Sequence, residues 1–518
     1  GGYMPALIAK DMGPQHVWCA YAGQDGVIPY RLQIGRIDFT LADDPAADID
    51  DADEMKPADT AADLPNAMAS PALDQKSMRP KSTIRVPEDY STIQAAIDAA
   101  GPGSDISIAD GTYSGPGNVE ILISGPKNLH IHSRNGPGAC IIDCASSGRG
   151  FRFEFSDGGE SRLSGVTIIN GATRGSGGGI LCIEASPVIE FCTVECCSAF
   201  FDGGGILLSR SNARIANCLV TRNTGGGNGG GVGISAGCTV EIDTCTIQDN
   251  EALKNGGGIY VQSSEGLFAS SDISGNTGTC GGGICYLKTC SIEQVNCRIS
   301  DNTAILKGGG VFYDISFPLG DCPSPQLRIE NCTLTANNAL VYGGGFFGER
   351  AHTVTPWIAH SILWNNTAPT GPEIALNGPE TFDFVIRHSC VTGGQSSVYV
   401  ESGWNVIWGP GMIQDDPLFV SGPEGDYYLS QQAAGQTIDS PCVNSGQVPA
   451  SSVCWTGSAG IRCMAAFTTR TDGTPDQSMV DMGAHYADIV PLPAEGHSAR
   501  FILLILITIL LAAGVARR

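Results

Sequence analysis

Residues 240–260 read VEIDTCTIQDNEALKNGGGIY, and the fold follows from how often that stretch returns. Its parts are an alternating run (Val240, Ile242), a Cys at 245, an Asn at 250 and a triple Gly from Gly256. Triple Gly followed by an apolar residue begins at Gly177, Gly203, Gly229, Gly256, Gly281, Gly308 and Gly343, at intervals of 26, 26, 27, 25, 27 and 35 residues. Cys192, Cys218, Cys245, Ser271, Cys297 and Cys332 keep the same phase. Asn223, Asn250, Asn276, Asn302 and Asn337 follow the last five of these by five residues. A near-fixed period of this length marks a stacked repeat.

Each unit holds three short alternating runs, as in Val240-Glu241-Ile242, Cys245-Thr246-Ile247 and Gly258-Ile259-Tyr260-Val261. Such runs read as strands. No 3.6-period segment long enough for a helical repeat occurs. The expected fold is therefore all-β: a parallel β-helix solenoid with three short strands in each coil of ~26 residues, coils ~4.8 Å apart. Equivalent residues then stack into columns. The Asn column predicts an internal ladder of amides at a turn that tolerates left-handed backbone. Triple Gly predicts a sharp corner with φ > 0. The Cys column predicts small apolar packing. Disulfides between coils, or a metal cluster such as Cys280, Cys285 and Cys290, are the alternatives.

The periodicity changes the meaning of the composition. Gly numbers 69 of 518 residues, and the seven corners hold 21 of them, so the excess reads as architecture rather than flexibility. The net charge of −24 makes a nucleic-acid partner unsuitable. Nine acids with Lys56 as the lone base fall within residues 43–63, so 43–80 is expected to be an acidic disordered linker after an unassigned 1–42. The β-helix is expected over 84–487. Within VPEDYSTIQAAIDAAGPGSDISIADGTY (86–113), Ser91 is the expected N-cap. Ile93, Ala96, Ile97 and Ala100 form one apolar stripe, and Gly101 ends the helix, which would plug the N-terminal end of the solenoid. The last segment, 488–518, holds a Pro-containing spacer, the uncharged run Phe501 to Ala516 and a terminal Arg pair. That run predicts a membrane helix of ~24 Å, kept as an anchor or removed as a sorting signal. The first thirty residues show no export leader. The export-like tail favours a true N-terminus that lies further upstream.

VPEDYSTIQAAIDAA with ADGTY, the GGGI/NC coils, Asp416-Pro417-Leu418-Phe419, Gly425-Asp426-Tyr427-Tyr428-Leu429, Ile438-Asp439-Ser440-Pro441-Cys442 and Val480-Asp481-Met482-Gly483-Ala484-His485-Tyr486 resemble bacterial right-handed parallel β-helix proteins of the pectate-lyase-like superfamily. The resemblance covers about residues 84–487 and implies the right-handed form of the fold. The tail resembles PEP-CTERM and IPTL sorting signals. The superfamily holds lyases, hydrolases, adhesins and proteins of unassigned role, so activity has to come from site residues.

Those residues are sparse. The galacturonan hydrolases of this fold carry NTD, paired DD, GHG and RIK. Only Gln414-Asp415-Asp416 matches an element, and it lies inside the closing segment. A lyase needs clustered Lys and Arg, and Lys254 and Lys307 are the two that recur before a triple Gly. His130 and His132 share a strand face without an evident third ligand. Trp404 and Trp408 suit packing or sugar stacking. Asp472, Asp476 and Asp481 could take Ca²⁺ through oxygen ligands. The long interval after Gly308 places extra residues within Tyr313–Gln326, on the face where a glycan is first sought. No catalytic, cofactor-binding or metal residue is assigned, and no cofactor beyond the Ca²⁺ alternative. The expected function is a surface-displayed or envelope-anchored β-helix protein with a structural, adhesive or glycan-binding role. Its partners would be a polysaccharide or cell-envelope surface and the membrane. The alternative is a polysaccharide lyase or glycoside hydrolase, and a groove lined with clustered acids or bases would favour it.

Overall fold

The computed structural model describes residues 83–487, apart from 156–159, 289–290, 315–325, 351–354 and 379–381. Residues 1–42, 43–80 and 488–518, including Phe501 to Ala516, lie outside the described residues, as do Cys290 and most of the insertion after Gly308. Among the described residues no helix is long and apolar enough to cross a membrane.

Parallel strands stack into sheets of 13, 11, 11 and 7 strands. Sheet 1 has 13 strands and runs from Thr83–Val86 to Trp404–Trp408. Sheet 2 runs from Gly111–Tyr113 to Cys390–Val391, and sheet 3 from Ile121–Ser124 to Tyr399–Val400, with 11 strands each. These are the three expected strands of each coil. Each residue pairs with its counterpart one coil away, as Glu241 with Leu267, Ile247 with Ile273 and Ile259 with Ile284. Inward residues such as Ile242, Ile247, Ile259 and Ile273 are fully buried and form one continuous core. The fourth sheet is an addition. Its strands, such as Thr224–Gly225 and Glu251–Ala252, are too short for alternation to announce them.

The Asn ladder is present and longer than the sequence series. Asn276 Nδ2 donates to Asn302 Oδ1 (3.0 Å) and to the Ile247 carbonyl (2.8 Å), while its backbone N–H donates to the same Oδ1 (2.9 Å). The pattern repeats from Asn223 to Asn337 and continues to Asn366. It ends at Glu373, which accepts the backbone N–H and Nδ2 of Asn366 and occupies the place of the third Gly of a corner. Every amide of the ladder thus has its partners, as burial demands. One expectation is corrected. The ladder Asn are not the left-handed residues; those directly before them are, including Arg222, Asp249, Asp301 and Ala336. The bend falls one residue earlier, so that the Asn itself can point inward. At the corner, Gly256 has φ 66°, as expected. Gly258 needs to be Gly for another reason: a Cβ there would lie 2.9 Å from Asn276 Nδ2.

The Cys column is reduced. Cys245 Sγ donates to the Asp243 carbonyl (3.4 Å), and Ser271 Oγ donates to the Ala269 carbonyl (2.8 Å) while accepting Cys245 N–H (3.1 Å). Cys332 Sγ likewise accepts Cys297 N–H (3.4 Å). Ser and Cys therefore do the same task, and the column continues as Ser361 and Ser389. A single disulfide occurs among the described residues, Cys454–Cys463, outside the column.

The helix Ile93–Ala99 packs Ile93, Ala96 and Ile97 over the N-terminal end of the core. Its N-cap is Thr92, not Ser91: Thr92 Oγ1 accepts Ala95 N–H (3.3 Å). The helix stops at Ala99, with Ala100 as C-cap, before reaching Gly101. At the other end Trp404 packs on Phe382 (5.2 Å) and Phe384 (6.5 Å) and joins the buried core, so it is a packing residue.

Candidate functional site

After Ile413, which still stacks on Cys390, the chain leaves the coils and doubles back along their outer surface. Asn331 Nδ2 donates to the Asp481 carbonyl (2.8 Å), and Ala484 N–H donates to Thr333 Oγ1 (2.9 Å). Ala450, Val453, Trp455, Met464, Phe467 and Val480 pack on Ala269 and Val295, two apolar residues on the outer face of sheet 1. A hairpin, Cys454–Gly457 with Gly460–Cys463, is closed by the disulfide and reaches furthest back. There Arg462 donates to Asp243 (2.8 and 3.0 Å), and Ser458 N–H donates to Glu241 Oε2 (2.8 Å).

This hairpin walls one side of a cleft of ≈ 670 Å³ on sheet 1. Its lining includes Ser186, Asn212, Thr239 and Ser291, the carboxylates Glu160, Glu241, Glu265 and Glu293, and one cation, Arg214. Strand pairing sets the acids out along successive rungs. Glu265 lies beside Thr239, while Glu241, Leu267 and Glu293 share the next outward column. The carboxylates are largely engaged. Arg214 Nε donates to Glu241 Oε1 (3.2 Å), Arg328 pairs with Glu293 and Glu330, and Thr239 Oγ1 donates to Glu265 Oε1 (2.8 Å). Burial pushes the Asp243 carboxyl above its ordinary range, and Arg462 and Arg214 offset this only in part. At Glu330 burial acts the same way, but His360 and Arg328 outweigh it and hold the carboxyl low.

A second cavity of ≈ 690 Å³ lies near the C-terminal end of the coils, lined by Trp408, Gln414, Asp415 and Pro441 among others. Asp416, the other half of the DD pair, is exposed and accepts Leu418 N–H (2.8 Å), so the two acids do not converge on one site.

Asp472 also departs from its neighbours: it pairs with Arg470 near the surface. Asp476 and Asp481 meet His485 in a buried cluster. His485 Nε2 lies 3.1 Å from Asp476 Oδ2, Asp481 N–H donates to the same oxygen (2.8 Å), and Asn444 N–H donates to Asp481 Oδ1 (2.6 Å). Thr469 and Gln431 also donate to Asp481. Burial raises the Asp481 carboxyl, helped by the Asp476 charge; at Asp476 burial is outweighed by His485, and the carboxyl is lowered. With its oxygens taken by protein donors, this set clasps the returning arm to the solenoid. His485 N–H donates to Asn296 Oδ1, which completes the clasp (2.5 Å).

Lys307 pairs with Glu349 (3.1 Å) and lies over the Phe347 ring, while Lys254 is exposed. They occupy different columns, since Asn255 rather than Lys254 stacks through Cys280 toward Lys307. The two lysines therefore form no basic cluster. His130 and His132 do share a face, and Asp105, one coil earlier, brings a carboxylate beside both rings. A separation of 25 residues hides that partner until the coils are stacked.

The family model described as a right handed beta helix region matches residues 117–252 and 227–379. No curated protein matches the chain. Among solved structures, pectate lyase Pel9A is similar at 14% identity and a TM-score of 0.45, covering 76% of this chain and 91% of that one. The catalytic unit of a thermostable GH87 alpha-1,3-glucanase from Streptomyces thermodiastaticus is similar at 16% identity and 0.38, covering 67% of each chain. The A-module of the Azotobacter vinelandii mannuronan C-5 epimerase AlgE4 is similar at 13% and 0.37, covering 62% of this chain and 90% of that one. These are likenesses of fold, not of chemistry. The two family matches together run over just over half of the 518 residues, and the chain belongs to the right handed beta helix family.

Proposed function

We propose that this is an exported β-helix protein, displayed at the cell surface or envelope in a structural or adhesive role, that binds a neutral polysaccharide between sheet 1 and the hairpin. The observation that supports it is the cleft. Ser186, Asn212 and Thr239 present hydroxyl and amide groups on three successive coils, Glu265 takes the same place on the next and Ser291 on the one after, which suits a polymer with repeating hydroxyls. Four glutamates against Arg214 in the lining disfavour a polyuronate. The Cys454–Cys463 disulfide suits an oxidising compartment.

A second reading is polysaccharide hydrolysis, favoured by Glu241, Glu265 and Glu293 on neighbouring rungs. Glycoside hydrolysis needs a pair of carboxyl groups flanking the bond. Glu241 and Glu293 are instead engaged by Arg214, Ser458 and Arg328.

Affinity electrophoresis through gels holding neutral glucans or polygalacturonate tests the reading. Retardation is expected in a neutral glucan and not in polygalacturonate. The double variant Asn212→Ala/Glu265→Ala, at two exposed positions, is expected to lower the affinity ~10-fold or more. Absence of retardation in every neutral gel, or an unchanged double variant, sinks the proposal. Release of reducing ends would establish the second reading instead.

A further inference from the structure

We propose that Asp105, His130 and His132 form a binding site for a zinc-class divalent ion on the outer face of sheet 1. Asp105 and His130 are register partners on adjacent coils, and His132 lies two residues further along the same face. The intervening Ile106 and Ile131 are fully buried, so the three polar side chains project outward. One ligand atom from each lies within 4.8 Å of the others.

The hydrogen-bond geometry itself asks for a cation. His132 Nδ1 lies 2.9 Å from the Ser133 carbonyl, which can only accept, so Nδ1 carries the proton. In the neutral ring Nε2 then presents a lone pair. It faces Asp105 Oδ2 at 3.4 Å, another acceptor. Two acceptors so placed repel unless a second proton or a metal ion lies between them. His130 Nδ1 converges on the other oxygen, Asp105 Oδ1, at 2.8 Å. The two rings stack at 4.7 Å and 20°, so both imidazoles turn their ring nitrogens toward the one Asp105 carboxylate. A single divalent ion bound to His130 Nδ1, His132 Nε2 and an Asp105 oxygen satisfies all three groups at once. The Ser133 carbonyl already supplies the outer partner that fixes the tautomer of a metal-bound His.

Two imidazoles and one carboxylate suit Zn²⁺ and its transition-metal neighbours rather than Ca²⁺ or Mg²⁺, which take oxygen ligands. All three side chains keep 22–36% exposure, so the ion has a path in and an open position toward solvent. The nearby cations are already paired, Arg134 with Glu88 (2.6 Å) and Arg162 with Glu190 (2.8 Å). The bound ion would staple two successive coils next to the N-terminal cap.

The test is calorimetric titration of the full chain with Zn²⁺, after alkylation of accessible thiols. Asp105→Asn and His132→Gln serve as variants, and thermal melts of each sample with and without Zn²⁺ give a second reading. One Zn²⁺ equivalent is expected in the wild type. Each variant should lose that equivalent, or weaken it by more than the ~10–100-fold typical of outer-shell changes, while melting normally without metal. Zn²⁺ should raise the wild-type midpoint alone, and Ca²⁺ should do nothing. Equal Zn²⁺ stoichiometry and affinity in wild type and variants, or no binding by the wild type, would overturn the proposal.

Discussion

Removing one rung of the amide ladder should cost several kcal/mol, because a single side chain there serves two coils. Asn276 is fully buried. Its Oδ1 accepts both the backbone N–H and the Nδ2 of Asn250, at 3.0 Å each, and its own Nδ2 donates to the Ile247 carbonyl. Asn276→Ala therefore strands two donors on Asn250 and removes one donor from Ile247. At ~1–3 kcal/mol for each buried group left unpaired, and allowing for a water in the vacated space, the loss is about 3–5 kcal/mol. Ser271→Cys is the control. It restores the residue type of its column neighbours and keeps a short side chain that can fold back on the Ala269 carbonyl, so a change under ~1 kcal/mol is expected. Denaturant unfolding gives the size of the effect, and hydrogen exchange gives its place. The Asn250 amide should exchange much faster in Asn276→Ala. The Asn302 amide, bonded to Asn337, should hardly change. A loss below ~1 kcal/mol with Asn250 still protected would refute the reasoning.

Glu373, which ends the ladder, should make stability depend on pH. Burial raises its carboxyl to about 7 from an ordinary 4.5, so it favours folding below pH 4.5 and that contribution fades as pH rises through 7. The shift corresponds to roughly 3 kcal/mol, and a difference curve between wild type and Glu373→Gln, followed by denaturant midpoint from pH 4 to 8, should show that slope. Arg462→Ala should loosen the hairpin by removing the cation beside Asp243, a group with 5% exposure. The expected signs are faster proteolysis near Gly457–Gly460 and weaker glucan retardation, with the melting of the coils little altered. Among the described free cysteines, Cys196 is the exposed one, and alkylation of the native protein should label it well before Cys182, Cys218 or Cys297. Burial pushes those three thiols well above their ordinary range, and equal labelling would contradict the closed core.

The sequence alone determined the coil. Triple Gly, Cys and Asn recurring in one phase have a shared physical cause, because a parallel stack places like residues on like and rewards whatever packs or bonds with its own copy. The ladder's last members escaped because the corner after Asn366 reads Gly371-Pro372-Glu373 and no longer matches the repeat, although it fills the same place. The tertiary structure alone decided the sites. Asp105 meets His130 and His132 from one coil away, and Arg462 meets Asp243 across a separation of 219 residues. Within a column, register follows from the period. Where a non-repeating arm doubles back, position depends on which outward residues it can bury, and Ala269 and Val295 are apolar there for no reason that the coil itself supplies. The cleft exists because that arm covers part of sheet 1 and leaves the rest open, a fact of packing that no local pattern encodes.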